Sequence, residues 1–158
     1  MPRSLVQARL LALVLPAALL AGAWGSQLIG GLYPCEMCHW QRWPHYAALV
    51  PALLAFVIPG TAAKRAMVVL AALAIAASGA IGVFHAGVEY HWWEGITACT
   101  APAPRGGDLL ADILSRPLIR CDVPQWTLGG ISLAGFNAIF SLTGAAIILA
   151  LAFKRRSL

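Results

Sequence analysis

Charged residues are scarce in this chain. They make up 11% of its 158 residues, whereas hydrophobic residues make up 60%. A soluble domain of this length averages about 25% charged residues, so a water-soluble globular domain is excluded and the chain is solvated by lipid. Internal repeats and linker segments are also lacking, which predicts a single integral membrane domain over residues 1–158.

Four apolar stretches approach the length of about 20 residues that crosses the hydrocarbon core of a bilayer. They run over about residues 10–32, 40–58, 66–88 and 131–153. We expect Pro44 in the first turn of the second helix, where a missing N–H is tolerated, and a kink at Pro51. The pattern predicts an all-α membrane protein, an antiparallel four-transmembrane-helix bundle. Ser78 and Ser141 belong to ridges of small residues that let helices approach closely, and we assign them no chemistry.

Acidic residues are absent from both chain ends and from the turn between the second and third spans. All six lie in or beside the other two connections, about 33–39 and 89–130, where four arginines leave a net charge of −2. The opposite side holds seven Lys and Arg residues and no acid. This bias predicts cytoplasmic termini and external loops. The net charge of +5 therefore reports topology and gives no indication of nucleic-acid binding.

The first span admits a second interpretation. Two early arginines, an apolar run and then Ala21-Gly22-Ala23 also fit a signal peptide with its cleavage site. Apolar character continues through Trp24 to Leu32, which is long enough to span a bilayer and favours a retained helix.

The second external loop contains a predicted short amphipathic helix. From Asp108 to Arg120, apolar side chains fall on one helical side, opposite Asp112 and Arg116. Such a helix lies in the membrane interface and would keep the surrounding loop close to the bilayer. A surface helix that covers the end of the bundle is the alternative.

By this topology all four cysteines are external. Cys35 and Cys38 lie in the first loop, and Cys99 and Cys121 lie in the second. In a bacterial cell envelope this compartment is oxidising, so disulfides persist there. Four cysteines allow three pairings. A 35–38 bridge would be a small redox ring, and a 99–121 bridge would close a loop of 21 intervening residues.

The C-x-x-C spacing is more typical of redox chemistry than of a structural bridge. A bridge over two residues constrains little chain entropy, whereas at this spacing one thiol stabilises its neighbour as thiolate. A helix that begins near Cys38 would also lower the pKa of that thiol. Arg42 follows one turn later on the same face. Its guanidinium needs a partner near the membrane, such as a thiolate or a carbonyl, unless it snorkels to the headgroups.

Cys35-x-x-Cys38-His39 also matches the attachment pattern of c-type haem. The alternative function is therefore a c-type haem-binding membrane electron carrier, with His39 as axial ligand and His45, His85 or His91 as a second ligand. The chain lacks a long polar segment to wrap the macrocycle, and haem needs no second cysteine pair. Zinc is disfavoured because an oxidising compartment competes for the thiolates, so we expect no metal site. A third hypothesis is a structural membrane protein with two inert disulfides.

Titratable residues mark the outer end of the third span. His85, Glu89 and His91 follow one another there. An imidazole at this place could relay protons, because its pKa lies near ambient pH. A plain hydrogen-bonding role is the alternative.

The first cysteine pair and the residues after it resemble the DsbB family of quinone-reducing thiol oxidases. The most specific motif is Cys35-x-x-Cys38-x-x-Gln41-Arg42, which continues as Trp43-Pro44-His45-Tyr46. Two further stretches are similar to the family. One begins with His85-Ala86-Gly87-Val88-Glu89 and continues to Cys99, and the other begins at Cys121 and continues to Gly129-Gly130-Ile131-Ser132 and Asn137. The resemblance covers essentially the whole chain. The DsbA–DsbB–quinone system keeps the bacterial periplasm oxidising.

The resemblance implies catalytic roles for all four cysteines. A reduced periplasmic DsbA-like protein of thioredoxin fold would attack a Cys99–Cys121 disulfide, at Cys99. Cys121 would then pass the electrons on through a transient bridge to Cys35. Cys38, released as thiolate, would donate toward quinone.

The resemblance also implies a quinone site. Cys38, Gln41 and Arg42 match the motif that would hold the ring, and either His85 or His91 would supply the family's histidine. The cofactor would be ubiquinone or menaquinone from the membrane quinone pool, not covalently bound. The implied location is the bacterial inner membrane, with the cysteine loops in the periplasm and lipid around the helices. Vitamin K epoxide reductase-like proteins combine similar parts, but their loop pair precedes the C-x-x-C, which is the reverse of the order here.

Overall fold

The computed structural model describes residues 2–97, 99 and 119–154. Within them it contains four helices and one two-stranded sheet. The elements are α1 (Arg3–Leu28), α2 (Glu36–Val57), α3 (Thr61–Glu89), β1 (Thr127–Leu128), β2 (Ile131–Ser132) and α4 (Leu133–Phe153). The predicted amphipathic helix, residues 108–120, lies outside the described residues except for its last two positions.

The helices cover the predicted apolar stretches, but their ends differ by several residues. α1 begins and ends earlier than predicted, and α3 begins earlier. α2 also begins early because Cys35 caps it: the sulfur accepts a hydrogen bond from the Cys38 amide at 3.3 Å. The Ser132 hydroxyl caps α4 in the same way, accepting from the Gly135 amide at 3.1 Å.

Three of the helices, α1, α3 and α4, are long and apolar enough to cross a membrane, counted over the described residues. α2 has 22 residues, a length of about 33 Å at 1.5 Å per residue. Its first half carries Gln41, Arg42 and His45, which lower its hydropathy. α2 is therefore long enough for the hydrocarbon core but less apolar than its neighbours.

Pro44 lies inside α2 and not in its first turn, so that prediction is wrong. The Cys35 cap starts the helix at Glu36, which places Pro44 well beyond the first turn. Because proline has no N–H, the carbonyl of Trp40 lacks its helical donor. The helix nevertheless continues through Pro44 and Pro51 to its end.

Small side chains dominate the packed core at one end of the helices. α3 packs against α2 and α4, and α1 also packs against α2 and α4. The core alanines are Ala8, Ala12, Ala48, Ala52, Ala55, Ala71, Ala72, Ala145 and Ala152. Such residues let helix backbones approach closely. At Gly144 the approach is so close that an added Cβ would clash with Leu15.

A two-stranded antiparallel hairpin, which the sequence pattern does not predict, precedes α4. β1 pairs with β2, and Gly129 and Gly130 form the turn with φ of 59° and 80°, a conformation that favours glycine. The Tyr90 hydroxyl donates to the carbonyl of Gly130 at 2.8 Å and accepts from the amide of Ser132 at 2.9 Å. These bonds fasten the end of α3 to the start of α4, at the end of the molecule where the cysteines lie.

Candidate functional site

Cys35 and Cys38 lie at the start of α2, ahead of its apolar part. They are free thiols whose sulfurs are 3.0 Å apart. Cys35 is 4% exposed, and Cys38 is partly exposed. Sulfurs this close convert between dithiol and disulfide with little backbone movement.

The two thiols differ in acidity. The Cys35 thiol donates to the Cys38 sulfur, and this bond, together with burial, raises the pKa of Cys35 far above its usual range. The same bond lowers the pKa of Cys38, although burial opposes the shift. Because the thiolate is the reactive form of cysteine, Cys38 is the prepared nucleophile of the pair.

The second pair is a disulfide between Cys99 and Cys121, one of the three pairings that the sequence allows. Cys121 is fully buried and shares an apolar cluster with Cys35 and Met37. Cys99 packs against this cluster but is only partly buried, and its sulfur lies 3.0 Å from the hydroxyl of Thr97. The two pairs are therefore adjacent, and Cys99 is the more accessible end of the disulfide.

His85 connects the two cysteine pairs. Its Nε2 lies 3.2 Å from the carbonyl oxygen of Cys121 and 3.6 Å from Sγ of Cys35. A carbonyl only accepts, so Nε2 carries the hydrogen, and Nδ1 accepts from the side-chain amide of Gln41 at 2.7 Å. Both nitrogens of the neutral ring are thus engaged. His85 holds the second loop against α2, which matches the hydrogen-bonding alternative better than proton relay.

A buried chain of hydrogen bonds continues from Gln41. Asn137 Nδ2 donates to Gln41 Oε1 at 2.9 Å and to the carbonyl of Ser78 at 3.2 Å, which fixes the orientation of both amides. Asn137 Oδ1 accepts from Nε2 of His45 at 3.0 Å and from the hydroxyl of Ser141 at 3.0 Å. Ser78 and Ser141 therefore belong to a polar network, in addition to allowing close packing.

Arg42 is buried and held by α1. Its exposed fraction is 7%, so it does not snorkel. The guanidinium donates to Gln27 Oε1 at 2.8 Å and to the carbonyl of Ala23 at 3.0 Å, and it lies 5.4 Å from the ring centroid of Trp24. Within the described part of the chain no carboxylate forms an ion pair with it. The guanidinium therefore contacts only neutral groups in the described part of the chain, and no carboxylate neutralises its positive charge. This charge can attract an anion or a carbonyl oxygen.

Several residues of this site are not among those that the sequence predicts for it. They are Gln27, Ser78 and Ser141, together with His45 and Asn137, which the sequence indicates only as a candidate haem ligand and as part of the family-like stretches. Their position within apolar spans could have indicated a role in the site, because polar side chains within such spans face the protein interior and pair there. Most of the pairings join different helices, such as His45 with Ser78, 33 positions apart, and Gln41 with Asn137, 96 positions apart, and spacing along the chain does not reveal them.

A cavity of about 290 Å³ opens beside the cysteines. Its polar lining includes Cys35, Cys38, Gln41, Arg42, His45, His85 and Glu89. α1 and α4 supply an apolar wall with Leu19, Leu133, Phe136 and Phe140. Ligand pockets are typically apolar with a few placed polar groups and begin near about 300 Å³. A flat apolar ring with polar oxygens, such as a quinone, fits this lining: the hydrocarbon side chains suit the ring, and the guanidinium of Arg42 suits its oxygens.

The structure brings only one of the two candidate histidines to this cavity. His85 lines it, whereas the described cavity lining does not include His91. His91 is exposed and has a φ of 58°. Glu89 lies between them in sequence and lines the cavity, with Oε1 3.8 Å from Nε2 of His85.

Metal and haem chemistry fit the cysteine geometry less well than disulfide exchange. The donor atoms of Cys35, Cys38 and His85 lie within 4.8 Å of one another, as in a metal site. However, Nε2 of His85 is protonated when it donates to the Cys121 carbonyl, and a metal ligand must be deprotonated. Attached haem needs each sulfur to reach a different side chain of the macrocycle, whereas here the sulfurs contact each other and Cys35 is buried. His39 is exposed.

The geometry agrees with a comparison with known families. The family model described as "Disulfide bond formation protein DsbB" matches residues 6–151, nearly the whole chain. This range includes the four cysteines, Arg42 and the helices that position them. Searches among curated proteins and among solved structures gave no match.

Proposed function

The chain belongs to the DsbB family of disulfide bond formation proteins, and from this premise we propose that it is a quinone-dependent protein-disulfide oxidoreductase of the membrane. Its substrate is a reduced dithiol protein of thioredoxin fold, a periplasmic DsbA-like partner. Its electron acceptor is ubiquinone or menaquinone from the membrane quinone pool. The product is an oxidised partner, which supports disulfide bond formation in other proteins.

The observation that carries this proposal is the contact between the two cysteine pairs through His85. Nε2 of His85 reaches both the Cys121 carbonyl and the Cys35 sulfur, and Cys121 and Cys35 share one buried cluster. Two inert disulfides need no such contact. Thiol–disulfide exchange requires it, because a thiolate must reach a sulfur of the next pair.

The electron path consists of two exchanges between sulfurs. The partner's thiolate attacks Cys99, forms a mixed disulfide and releases Cys121; the partner's second thiol then resolves the mixed disulfide. Cys121 attacks Cys35 of an oxidised 35–38 pair, which releases Cys38 as thiolate, and Cys99 attacks Cys121 to restore the second disulfide. Each exchange reduces one disulfide to two thiols and oxidises two thiols, so two electrons and two protons arrive at Cys35 and Cys38.

Cys38 and Arg42 would hold the quinone, and Gln41 and His85 line the same cavity. A bound quinone would supply an acceptor for two electrons and two protons. Arg42 supplies a buried positive charge beside Cys38, and Gln41 and His85 keep the cysteine pair in place. The apolar wall from α1 and α4 excludes water from the ring. His91 lies on the exposed side and takes no part in the proposal.

The proposed setting is the bacterial inner membrane. α2 crosses the bilayer together with α1, α3 and α4, so that residues 1–158 form a single antiparallel four-helix domain. Both termini lie in the cytoplasm and both cysteine loops in the periplasm, as the distribution of Lys and Arg indicates. The buried polar side chains in the first half of α2 are compatible with crossing because they pair inside the protein.

Quinone absorbance tests the function directly. The full chain in detergent is mixed with a reduced DsbA-like protein and ubiquinone, and menaquinone is tested in parallel. We expect loss of quinone in the wild type, and no loss after Cys35→Ser or Cys99→Ser. Thr143→Ala, at an exposed position of α4, is the matched control and keeps full activity.

Two results would contradict the proposal. No quinone loss combined with a haem spectrum in the same sample indicates the electron carrier. No quinone loss and no chromophore, with both quinones tested, indicates a structural role for the cysteine pairs.

A further inference from the structure

Thr97 places a hydroxyl beside both sulfurs of the Cys99–Cys121 disulfide, and the proposed electron path does not use it. The residue is 6% exposed and lies two positions before Cys99 in the chain. Its Oγ1 donates to Sγ of Cys121 at 3.6 Å and lies 3.0 Å from Sγ of Cys99. Sulfur is larger than oxygen, so a hydroxyl bonds to it at a longer distance. A disulfide sulfur carries no hydrogen, and the hydroxyl is therefore the donor in both contacts.

Thiol attack on this disulfide leaves a negative charge at a buried atom. Cys99 is the more accessible end of the bond, so an incoming thiolate reaches this sulfur. A bond forms between the incoming sulfur and Cys99, the Cys99–Cys121 bond breaks, and its electron pair remains on Sγ of Cys121. Cys121 is 0% exposed and packs in an apolar cluster. Because burial disfavours the charged form of a thiol, the departing thiolate needs a hydrogen-bond donor from the protein.

Two other donors near Cys121 are engaged elsewhere. Nε2 of His85 donates to the carbonyl oxygen of Cys121 and not to its sulfur. The guanidinium of Arg120 is largely exposed and pairs with the carboxylate of Asp122. The Thr97 hydroxyl is directed at the sulfur itself, and it turns about its C–O bond without any movement of the backbone. Of these three donors, the hydroxyl is therefore the one that bonds to the charge on Cys121.

From these observations we propose that Thr97 is a catalytic residue of the first exchange, and that its hydroxyl donates a hydrogen bond to the Cys121 thiolate as the disulfide opens. The hydrogen stays on Thr97, so no proton is transferred. This inference rests on the proposed function, in which a partner's thiolate attacks Cys99, and extends it to the leaving group. A thiol with a lower pKa leaves faster, and the hydroxyl therefore speeds the opening of the disulfide.

Reduction of the second disulfide by dithiothreitol tests this role without a partner protein or a quinone. The full chain carries Cys35→Ala and Cys38→Ala, so that the released thiols come from the second pair. Thr97→Val removes the hydroxyl and keeps the shape of the side chain, whereas Thr97→Ser keeps the hydroxyl. Thr143→Val, at an exposed position of α4, is the matched control. Acid quenching and thiol labelling give the rate, and thermal unfolding in detergent monitors the fold.

We expect Thr97→Val to lower the rate about tenfold, the effect of losing roughly one hydrogen bond. Thr97→Ser and Thr143→Val keep the rate of the background chain. Should Thr97→Val unfold, Thr97→Ala also lacks the hydroxyl and replaces it with the same expectation. An unchanged rate without the hydroxyl, or an equal loss in Thr97→Ser, shows that the side chain only shapes the loop, and the proposal is then wrong.

A titration separates stabilisation of the thiolate from the shape of the loop. In a chain with Cys35→Ala, Cys38→Ala and Cys99→Ala, Cys121 is the only remaining cysteine, and the ultraviolet absorbance of its thiolate reports ionisation. Thr97→Val moves this titration to higher pH because the thiolate loses a donor, and Thr97→Ser does not. An unmoved titration contradicts the proposal. Slower reduction in Thr97→Val, combined with no quinone loss in the wild-type chain, contradicts the proposed function alone.

Discussion

At the residue scale, a single hydrogen bond gives two neighbouring cysteines different chemistry. Cys35 donates and its pKa is raised; Cys38 accepts and its pKa is lowered. The hydrogen bond therefore favours the protonated form of the buried Cys35 sulfur beside His85 and favours the thiolate form of the partly exposed Cys38 sulfur. This order suits a pair in which Cys35 receives electrons from the second loop and Cys38 gives them to the cavity.

Alkylation of the reduced protein checks this difference. Only the thiolate reacts, so iodoacetamide modifies Cys38 before Cys35 at neutral pH. As the pH falls through the lowered pKa of Cys38, protonation removes the thiolate and the rate drops. Cys35 reacts only at more alkaline pH. Peptide mass spectrometry after brief labelling separates these residues from the other two cysteines.

The variant Cys35→Ala is the control for this measurement. It removes the donor, so the labelling profile of Cys38 moves to higher pH. Faster labelling of Cys35 in the wild type, or an unchanged Cys38 profile in the variant, contradicts the assigned roles.

We predict that His85 acts by holding the two cysteine pairs next to each other. His85→Gln keeps an N–H donor near the place of Nε2, whereas His85→Leu removes it and frees the loop around Cys121. We expect exchange between the cysteine pairs to slow by about tenfold or more in His85→Leu, since small displacements of reacting groups cost up to about 10² in rate. His85→Gln retains most of the rate. Single-turnover exchange, followed by acid quenching and thiol labelling, measures it, and equal rates in the two variants would rule out the positioning role.

At the element scale, side-chain hydrogen bonds and glycines set where the helices begin and how closely they pack. The apolar stretches predict the helices themselves, because about 20 apolar residues are needed to cross the bilayer. The start of α2 depends on the Cys35 cap, which hydropathy does not detect. The prediction that Pro44 lies in the first turn is wrong for the same reason. The hairpin before α4 carries a Gly129-Gly130 turn signal, but its strands are too short for an alternating pattern.

Gly87 in α3 gives a prediction for packing. A Cβ at this position would overlap the ring of Trp93, whose Nε1 donates to the carbonyl of Phe84 at 2.9 Å. Overpacking costs about 1–3 kcal/mol, more than the roughly 0.5–1 kcal/mol that alanine gains over glycine in a helix. Gly87→Ala therefore lowers the Tm in detergent. Gly25→Ala is the control: a Cβ at Gly25 has nothing within 4 Å, so this variant leaves the Tm unchanged or raises it. If Gly87→Ala keeps the wild-type Tm, the Trp93 ring moves aside at no cost and the prediction is wrong.

At the scale of the whole molecule, the interior is divided into an apolar half and a polar half. Alanines fill one end, and hydrogen-bonded polar side chains fill the end near the cysteines. The sequence predicts four membrane helices, and three of the described helices are long and apolar enough to cross a membrane. The family match agrees with the resemblance of the motifs. The sequence predicts neither the bonds of Arg42 to α1 nor the network of Asn137, because these join residues far apart in the chain.

Reporter fusions test the proposed topology. Alkaline phosphatase is active only outside the cytoplasm, so we expect no activity from a fusion at Gly60, between α2 and α3, and high activity from a fusion at Gln125. Green fluorescent protein at the same positions gives the reverse pattern. An active phosphatase at Gly60 would mean that α2 does not cross the membrane.

The wall of the cavity has a consequence for how the acceptor reaches it. Phe140 and Leu133 line the cavity and are also 50% and 41% exposed, on helix α4, whose outer face meets lipid. An acceptor that enters past these side chains arrives by two-dimensional diffusion within the bilayer. Its relevant concentration is then its mole fraction in the lipid. In proteoliposomes, turnover stays constant when buffer is added and falls when quinone-free lipid is fused into the vesicles.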